Sequence, residues 1–148
     1  MFDLIKKMFN NEDQATENDA LNAHLALAVL LMEAAYADGE CSQEEKKHLA
    51  EILVNNFEVN KSDIQDLLER SDKAHHEYVD IFQYTRFIND NFSRSQKRSI
   101  LESVWQVILL DDHLEAHEDH FVHKLANLMG FSHKDLIDAK LRARKQIL

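Results

Sequence analysis

Apolar residues recur along most of the chain at spacings of three and four positions, which is the period of an amphipathic α-helix. The most apolar stretch, Leu25–Met32, is too short for a membrane span, and extending it to Ala20–Ala37 brings in Asn22, His24 and Glu33, so it predicts a buried central helix. The predicted helices are Asp19–Ala37, Ser42–Asn55, one from Asn60 or Ser62, Glu77–Asn89, one from Ser93 or Ser95 to Leu110, Ala116–Met129 and one from Ser132 to a basic end.

Turn residues are scarce, because the chain has no proline and only two glycines. Sheet-rich folds need more of them, whereas long helices with short polar loops do not. The length of 148 residues suits one domain. We therefore predict an all-α, single-domain bundle of about seven to eight helices. Residues 1–18 are expected to form a short helix and a polar connector, and residues 19–148 the helical domain.

An internal repeat divides the predicted domain. The segment Glu33–Leu53 aligns with Gln106–Ala126 at one constant offset, and Val59–Ile64 aligns with Phe131–Leu136 after a slip of one position. Both halves then consist of a helix, an acidic turn, a helix, a short turn and a helix. Two copies are too few for a solenoid, so the repeat predicts one bundle with pseudo-two-fold symmetry.

Each copy of the repeat carries an Asp and a Glu seven residues apart across its acidic turn. All four carboxylates continue apolar, core-facing stripes, and the two Asp residues lie at helix C-termini, where the helix dipole disfavours an anion. A hard cation with oxygen ligands would compensate for this placement, and hydrogen bonds to free N–H groups of the next helix would do so equally. The acids are Asp38, Glu45, Asp111 and Glu118, and His113 and His117 lie next to the second pair.

Both interpretations of these acids remain open. The sequence Ser42-Gln43-Glu44-Glu45 has the pattern of a capping box, which gives Glu45 a role without metal. If the acids hold a cation, carboxylate oxygens favour Ca²⁺, Mg²⁺ or Mn²⁺, and a nearby histidine would shift the preference towards Mn²⁺ or Zn²⁺. The spacing does not fit an EF-hand, which spreads its ligands over about twelve residues.

Four stretches of the chain resemble the tellurite-resistance TerB-like family. The family signature is Ala-Asp-Gly followed by a glutamate that opens the next helix, and the first copy matches it well. In the second copy Asp112 replaces the glycine and His113 an acid. The matching stretches are Ala35–Glu40, His117–His120, Lys124–Gly130 and Lys140–Arg144.

The resemblance covers residues 21–144 and implies an all-helical domain linked to tellurite and metal-stress responses, with acidic residues that bind a cation. The chain also resembles the TerB-like domain of a membrane-anchored DnaJ-type co-chaperone. The His-Pro-Asp signature of a J-domain is absent from this sequence, which has no proline.

Charge and cysteine usage limit the classes of partner. A formal net charge of −10 opposes binding to nucleic acid and favours cations or basic proteins. The single cysteine, Cys41, excludes an intrachain disulfide and suits a reducing, cytoplasmic location. We expect an unidentified protein partner, no membrane span and compatibility with a homodimer.

Three functions follow from these observations. The first is a non-enzymatic, divalent-cation-responsive binding module, and the second is a metal-free protein interaction domain. The third, a metal-dependent hydrolase using the four acids, is the weakest because the sequence offers no separate nucleophile or oxyanion group. We expect no catalytic residues.

Overall fold

The computed structural model describes the backbone of residues 17–37, 39–78, 80–111 and 116–147, and the side chains of residues 22–110 and 119–146 apart from 38 and 79. Within these ranges the chain forms seven α-helices and one short 3-10 turn, with no strand, which confirms the all-α prediction. The helices are α1 (Glu17–Ala35), α2 (Gln43–Phe57), α3 (Lys61–His76), α4 (Phe82–Asn91), α5 (Arg94–Ile108), α6 (Ala116–Leu128) and α7 (His133–Ile147), and the 3-10 turn is Leu109–Asp111.

Helix α1 is the centre of the domain, as its apolar sequence predicts. Between residues 23 and 35 only Leu25 and Glu33 are not buried. The helix packs against α2, α3, α4, α5 and α6, so nearly its whole circumference is covered. No helix in the described part of the chain is long and apolar enough to cross a membrane.

Two pairs of parallel helices, α1 with α3 and α5 with α7, form the framework of the domain. His24 of α1 lies near Asp63 at the start of α3, and Glu33 lies 2.8 Å from His75 at the end of α3. Helices α5 and α7 run side by side in the same way, with ion pairs from Arg94 to Asp135 at 3.0 Å and from Glu102 to Arg142 at 3.9 Å. Helix α2 connects α1 to α3 along the chain, and helix α6 connects α5 to α7.

The helix boundaries follow the alignment of the sequence repeat. Helices α1 and α5 end at aligned positions, α2 and α6 begin at aligned positions, and α3 and α7 begin at positions that align after the slip of one. The aligned apolar residues are buried in both halves: Leu49 with Val122, Ile52 with Leu125, and Val59 with Phe131. The pseudo-two-fold relation between the halves stays a prediction.

Local sequence signals set several helix ends. Ser42 and Glu45 form the predicted capping box of α2, and Ser93 and Gln96 form a similar one at α5. Gly130 takes a left-handed φ of 80° after α6, and the Phe131 N–H donates to the Ala126 carbonyl at 2.8 Å. The basic residues Arg144 and Lys145 occupy the last turn of α7, as predicted.

The prediction for the fourth helix was wrong at its start. The helix begins at Phe82 and not near Glu77, because Tyr78 takes a left-handed φ of 55° that interrupts the helical path. Asp80 then accepts the Phe82 N–H at 2.9 Å, as a side chain does at the start of a helix. Phe82 is 53% exposed, whereas Tyr84 and Phe87 pack against the core.

Candidate functional site

Glu45 is the one predicted acid whose side chain is described, and it acts as a helix cap. Its carboxylate accepts the Ser42 N–H at 3.3 Å and the Ser42 hydroxyl at 3.1 Å. In return, the Glu45 N–H donates to the Ser42 hydroxyl oxygen at 3.1 Å. The capping role that the sequence suggested for this residue is therefore confirmed.

The backbone gives only the positions of the second pair of acids. Asp111 closes the 3-10 turn after α5, and Glu118 is the third residue of α6, as Glu45 is the third residue of α2. The side chains of Asp111, His117 and Glu118 lie outside the described residues, as do Asp38 and His113 altogether. Their convergence on a cation stays a prediction.

Beside the first acidic turn the structure brings together six polar side chains that the sequence did not single out as a group. At its centre the Tyr36 hydroxyl donates to the Asp72 carboxylate, which also lies 3.5 Å from the Lys46 ammonium and 3.4 Å from Nε2 of His76. We call this group the Tyr36 cluster, and its members are Glu33, Tyr36, Lys46, Asp72, His75 and His76.

Aromatic stacking adds to the ion pairs of the Tyr36 cluster. The imidazole of His75 lies nearly parallel to the Tyr36 ring, with centroids 3.8 Å apart and an interplanar angle of 7°. Nδ1 of His75 lies 2.8 Å from a carboxylate oxygen of Glu33, which fixes the orientation of the imidazole ring. The cluster thus fastens the end of α1 to α3 immediately before the Ala-Asp-Gly turn.

The pKa values in the cluster follow from these contacts. Burial and the hydrogen bond to Asp72 raise the pKa of the Tyr36 hydroxyl. Burial tends to raise the pKa of Asp72, but the Tyr36 hydrogen bond and the charges of Lys46 and His76 outweigh it, so the Asp72 pKa lies below its ordinary value of 3.8. Tyr36 is therefore a hydrogen-bond donor to an ionised carboxylate at neutral pH.

A groove opens on one side of the cluster, between the α3–α4 loop and α6. Its volume is about 270 Å³, and Ile81 and Phe121 provide its apolar walls. Two side chains protrude into solvent nearby, since Tyr78 is 93% and Phe82 53% exposed. The charged and polar lining consists of Glu33, His75, Tyr78, Asp80 and Lys124.

A comparison with protein families shows which family the chain belongs to. The family model described as tellurite resistance protein TerB matches residues 24–141 and includes both acidic turns. The chain belongs to the TerB family. Neither the curated proteins nor the solved structures include a significant match to it.

Within this TerB domain the described side chains do not form a metal site by themselves. In the part of the chain where side chains are described, no three His, Cys, Asp or Glu side chains are arranged so that they could hold one metal ion. In the Tyr36 cluster the Lys46 ammonium already lies next to Asp72, and a resident cation opposes a second one at the same carboxylate. The contacts of the Tyr36 cluster therefore position the first acidic turn.

Some signals for the Tyr36 cluster were present in the sequence. Asp72 and His76 are four residues apart on one helix, a spacing at which an ion pair forms. Helical spacing does not show that α3 faces Tyr36, which is 36 residues earlier than Asp72. His75 and His76 are the last two residues of α3.

Proposed function

We propose that this TerB-family chain is a non-catalytic binding module of the tellurite-resistance type that takes a divalent cation at its paired acidic turns. The observation that supports the proposal best is the matched position of Glu45 and Glu118, each the third residue of a helix, in helices that begin at aligned positions of the repeat. Each helix follows a turn with an aspartate at the same offset, Asp38 or Asp111. The family match spans both turns.

The chemistry of the four acids supports a hard cation. Asp38, Glu45, Asp111 and Glu118 supply only oxygen ligands, which Ca²⁺, Mg²⁺ and Mn²⁺ prefer. If His113 or His117 joined them, the preference would move towards Mn²⁺ or Zn²⁺. The net charge of −10 draws cations to the domain in either case. We place this activity in the cytoplasm, where a lone thiol such as Cys41 stays reduced.

A thermal titration with CaCl₂, MgCl₂ and MnCl₂ tests the cation. A cation that binds the folded chain raises the melting temperature by mass action, by an amount that grows with the cation concentration. We expect this rise in the wild type and its loss in the double variant Asp38→Asn with Asp111→Asn. The matched control is Asp66→Asn with Asp90→Asn, which removes the same charge at two sites outside the acidic turns and should keep the rise.

Two results of this titration would contradict the cation proposal. One is a wild-type melting temperature that does not respond to any of the three cations. The other is a double variant at Asp38 and Asp111 that responds like the wild type. Isothermal titration calorimetry on the same proteins gives the stoichiometry directly.

A metal-free protein interaction domain is the second candidate, and the Ser42–Glu45 capping box favours it. The Glu45 carboxylate already accepts two hydrogen bonds from Ser42, so this acid is stabilised without a cation. In that case the acids stabilise helix ends, and binding takes place on another surface of the domain. Cation titrations would then be flat while a protein ligand still binds.

A further inference from the structure

Tyr78 combines backbone strain with full exposure. Its φ of 55° lies in the left-handed region, which is unfavourable for a residue with a side chain. Its N–H donates to the His75 carbonyl at 3.1 Å, so the loop holds this conformation. The side chain is 93% exposed and gains almost no packing that would offset the strain. An aromatic ring displayed at such a cost is typical of a binding surface.

The groove beside Tyr78 has two carboxylates at fixed positions. Asp80 is held by the Phe82 N–H at 2.9 Å, and Glu33 by His75 at 2.8 Å. Lys124 is the only lysine or arginine among the described lining residues, against the two carboxylates of Glu33 and Asp80. Ile81 and Phe121 supply apolar surface between the charges.

We propose that this groove binds an arginine side chain in a basic, extended segment of a partner protein. A guanidinium can stack on an aromatic face and donate two hydrogen bonds to one carboxylate, and Tyr78 with Asp80 or Glu33 offers both. The apolar walls suit the methylene stem of the arginine. The Lys124 ammonium can donate a hydrogen bond to a backbone carbonyl of the same segment. The net charge of −10 favours a basic partner over long range.

The inference rests on the proposed function only in taking the chain to be a binding module, and it does not need a cation. The first test is therefore done in EDTA, with N-acetyl-arginine methylamide as the probe and amide NMR shifts as the measurement. We expect saturable shifts at Tyr78, Asp80, Ile81, Phe121 and Lys124. N-acetyl-citrulline methylamide has nearly the same shape without the charge, and it should bind at least about fivefold more weakly.

Variants at two residues with a left-handed backbone conformation separate an effect on binding from an effect on folding. Tyr78→Gly removes the ring and relieves the strained φ, so the fold should be kept or stabilised while arginine binding falls at least about fivefold. Glu58→Gly is the matched control, since Glu58 is the other described residue with a side chain and a positive φ, at 52°. It ends α2 and does not line the groove, so binding should not change. Asp80→Asn should weaken binding without loss of the fold.

A selection of phage-displayed random heptapeptides on the wild type in EDTA tests the partner class. We expect enrichment of arginine next to apolar residues, and loss of that enrichment on Tyr78→Gly. Equal binding of the arginine and citrulline probes, shifts away from the groove, unchanged binding by Tyr78→Gly, or enrichment of acidic peptides would each overturn the proposal. The cation response should persist in Tyr78→Gly, so the two proposals fail independently.

Discussion

The two halves of the domain have similar helix frameworks, but the side chains at the ends of their parallel helix pairs differ in chemistry. In the first half, α1 meets the end of α3 through Glu33, Tyr36, Asp72 and the two histidines of the Tyr36 cluster. In the second half the position of Glu33 is taken by Gln106, whose side-chain amide donates to Gln146. Leu109 stands where Tyr36 stands in the first half.

The halves also differ in how they fasten their helices. Besides its ion pairs, the second half has a neutral, buried contact, in which the indole N–H of Trp105 donates to the Leu136 carbonyl at 3.1 Å. Lys140 lies over the same indole ring, 5.1 Å from its centroid. The first half instead has titratable groups at the end of α3, whereas the end of α7 contacts Gln106 through Gln146. The apolar pattern is thus shared by the two halves, while the Tyr36 cluster and the groove beside it belong to the first.

The largest expected effect concerns the shared apolar pattern. Leu125 and its partner in the repeat, Ile52, are 0% and 5% exposed. Truncation of either side chain to alanine removes buried methyl groups and leaves a cavity, so each variant should lose about 2–5 kcal/mol of unfolding free energy. Chemical denaturation measures this loss, and Ile137→Ala, at a site 37% exposed, is the control with a much smaller loss.

A loss below about 0.5 kcal/mol for Leu125→Ala would mean that the stripe assigned to the core is wrong. A large loss for Leu125→Ala with a small one for Ile52→Ala would break the equivalence of the halves at the level of packing. Similar losses would support it.

The next effect concerns the chemistry confined to the first half. Tyr36→Phe removes the donor to Asp72 and leaves a partly buried carboxylate with fewer partners, so it should cost about 1–2 kcal/mol at pH 7. Because the folded-state pKa of Asp72 is lowered, its contribution is present above the ordinary value of 3.8 and is lost as the pH falls through the folded pKa. The difference between wild type and variant should therefore shrink below about pH 4.

Denaturation of both proteins from pH 7 to pH 3 measures this difference. Tyr78→Phe is the control, because it removes a hydroxyl from a side chain that is 93% exposed and should change stability very little. If Tyr36→Phe is as stable as the wild type at pH 7, the cluster does not fasten α1 to α3.

The smallest effect concerns His24, which is buried near Asp63 in the first half. Burial lowers its pKa below the ordinary 6.5, and the Asp63 carboxylate only partly opposes this. Well above pH 6.5 the residue is neutral in both states, and as the pH falls through 6.5 the unfolded chain takes up the proton first. His24 therefore lowers stability as the solution is acidified from about pH 6.5 towards its folded pKa.

His24→Gln should flatten that part of the stability profile, since glutamine does not titrate. The measurement is the difference in unfolding free energy between wild type and variant from pH 7.5 to pH 5. Lys97 occupies the matching position in the second half and donates to the Met129 carbonyl at 3.2 Å, so Lys97→Gln should leave the slope over this range unchanged. An unchanged slope for His24→Gln would show that the imidazole is not held neutral by burial.

The sequence determined the local features of this protein because each depends on a few neighbouring residues. Helical periodicity identified the buried faces of α1 and α6, and the Ser42 and Glu45 pattern identified a cap. It failed at Tyr78, because a left-handed φ on a tyrosine has no compositional signal.

Only the tertiary structure decided which helix faces meet. Tyr36 and Asp72 are 36 residues apart, and the groove joins Glu33 and Asp80 with Phe121 and Lys124. Periodicity separates inward from outward positions but does not identify the neighbour across a helix interface. The parallel packing of α1 on α3 placed the polar residues of both helices at one end of the pair, and it thereby created the Tyr36 cluster and one wall of the groove.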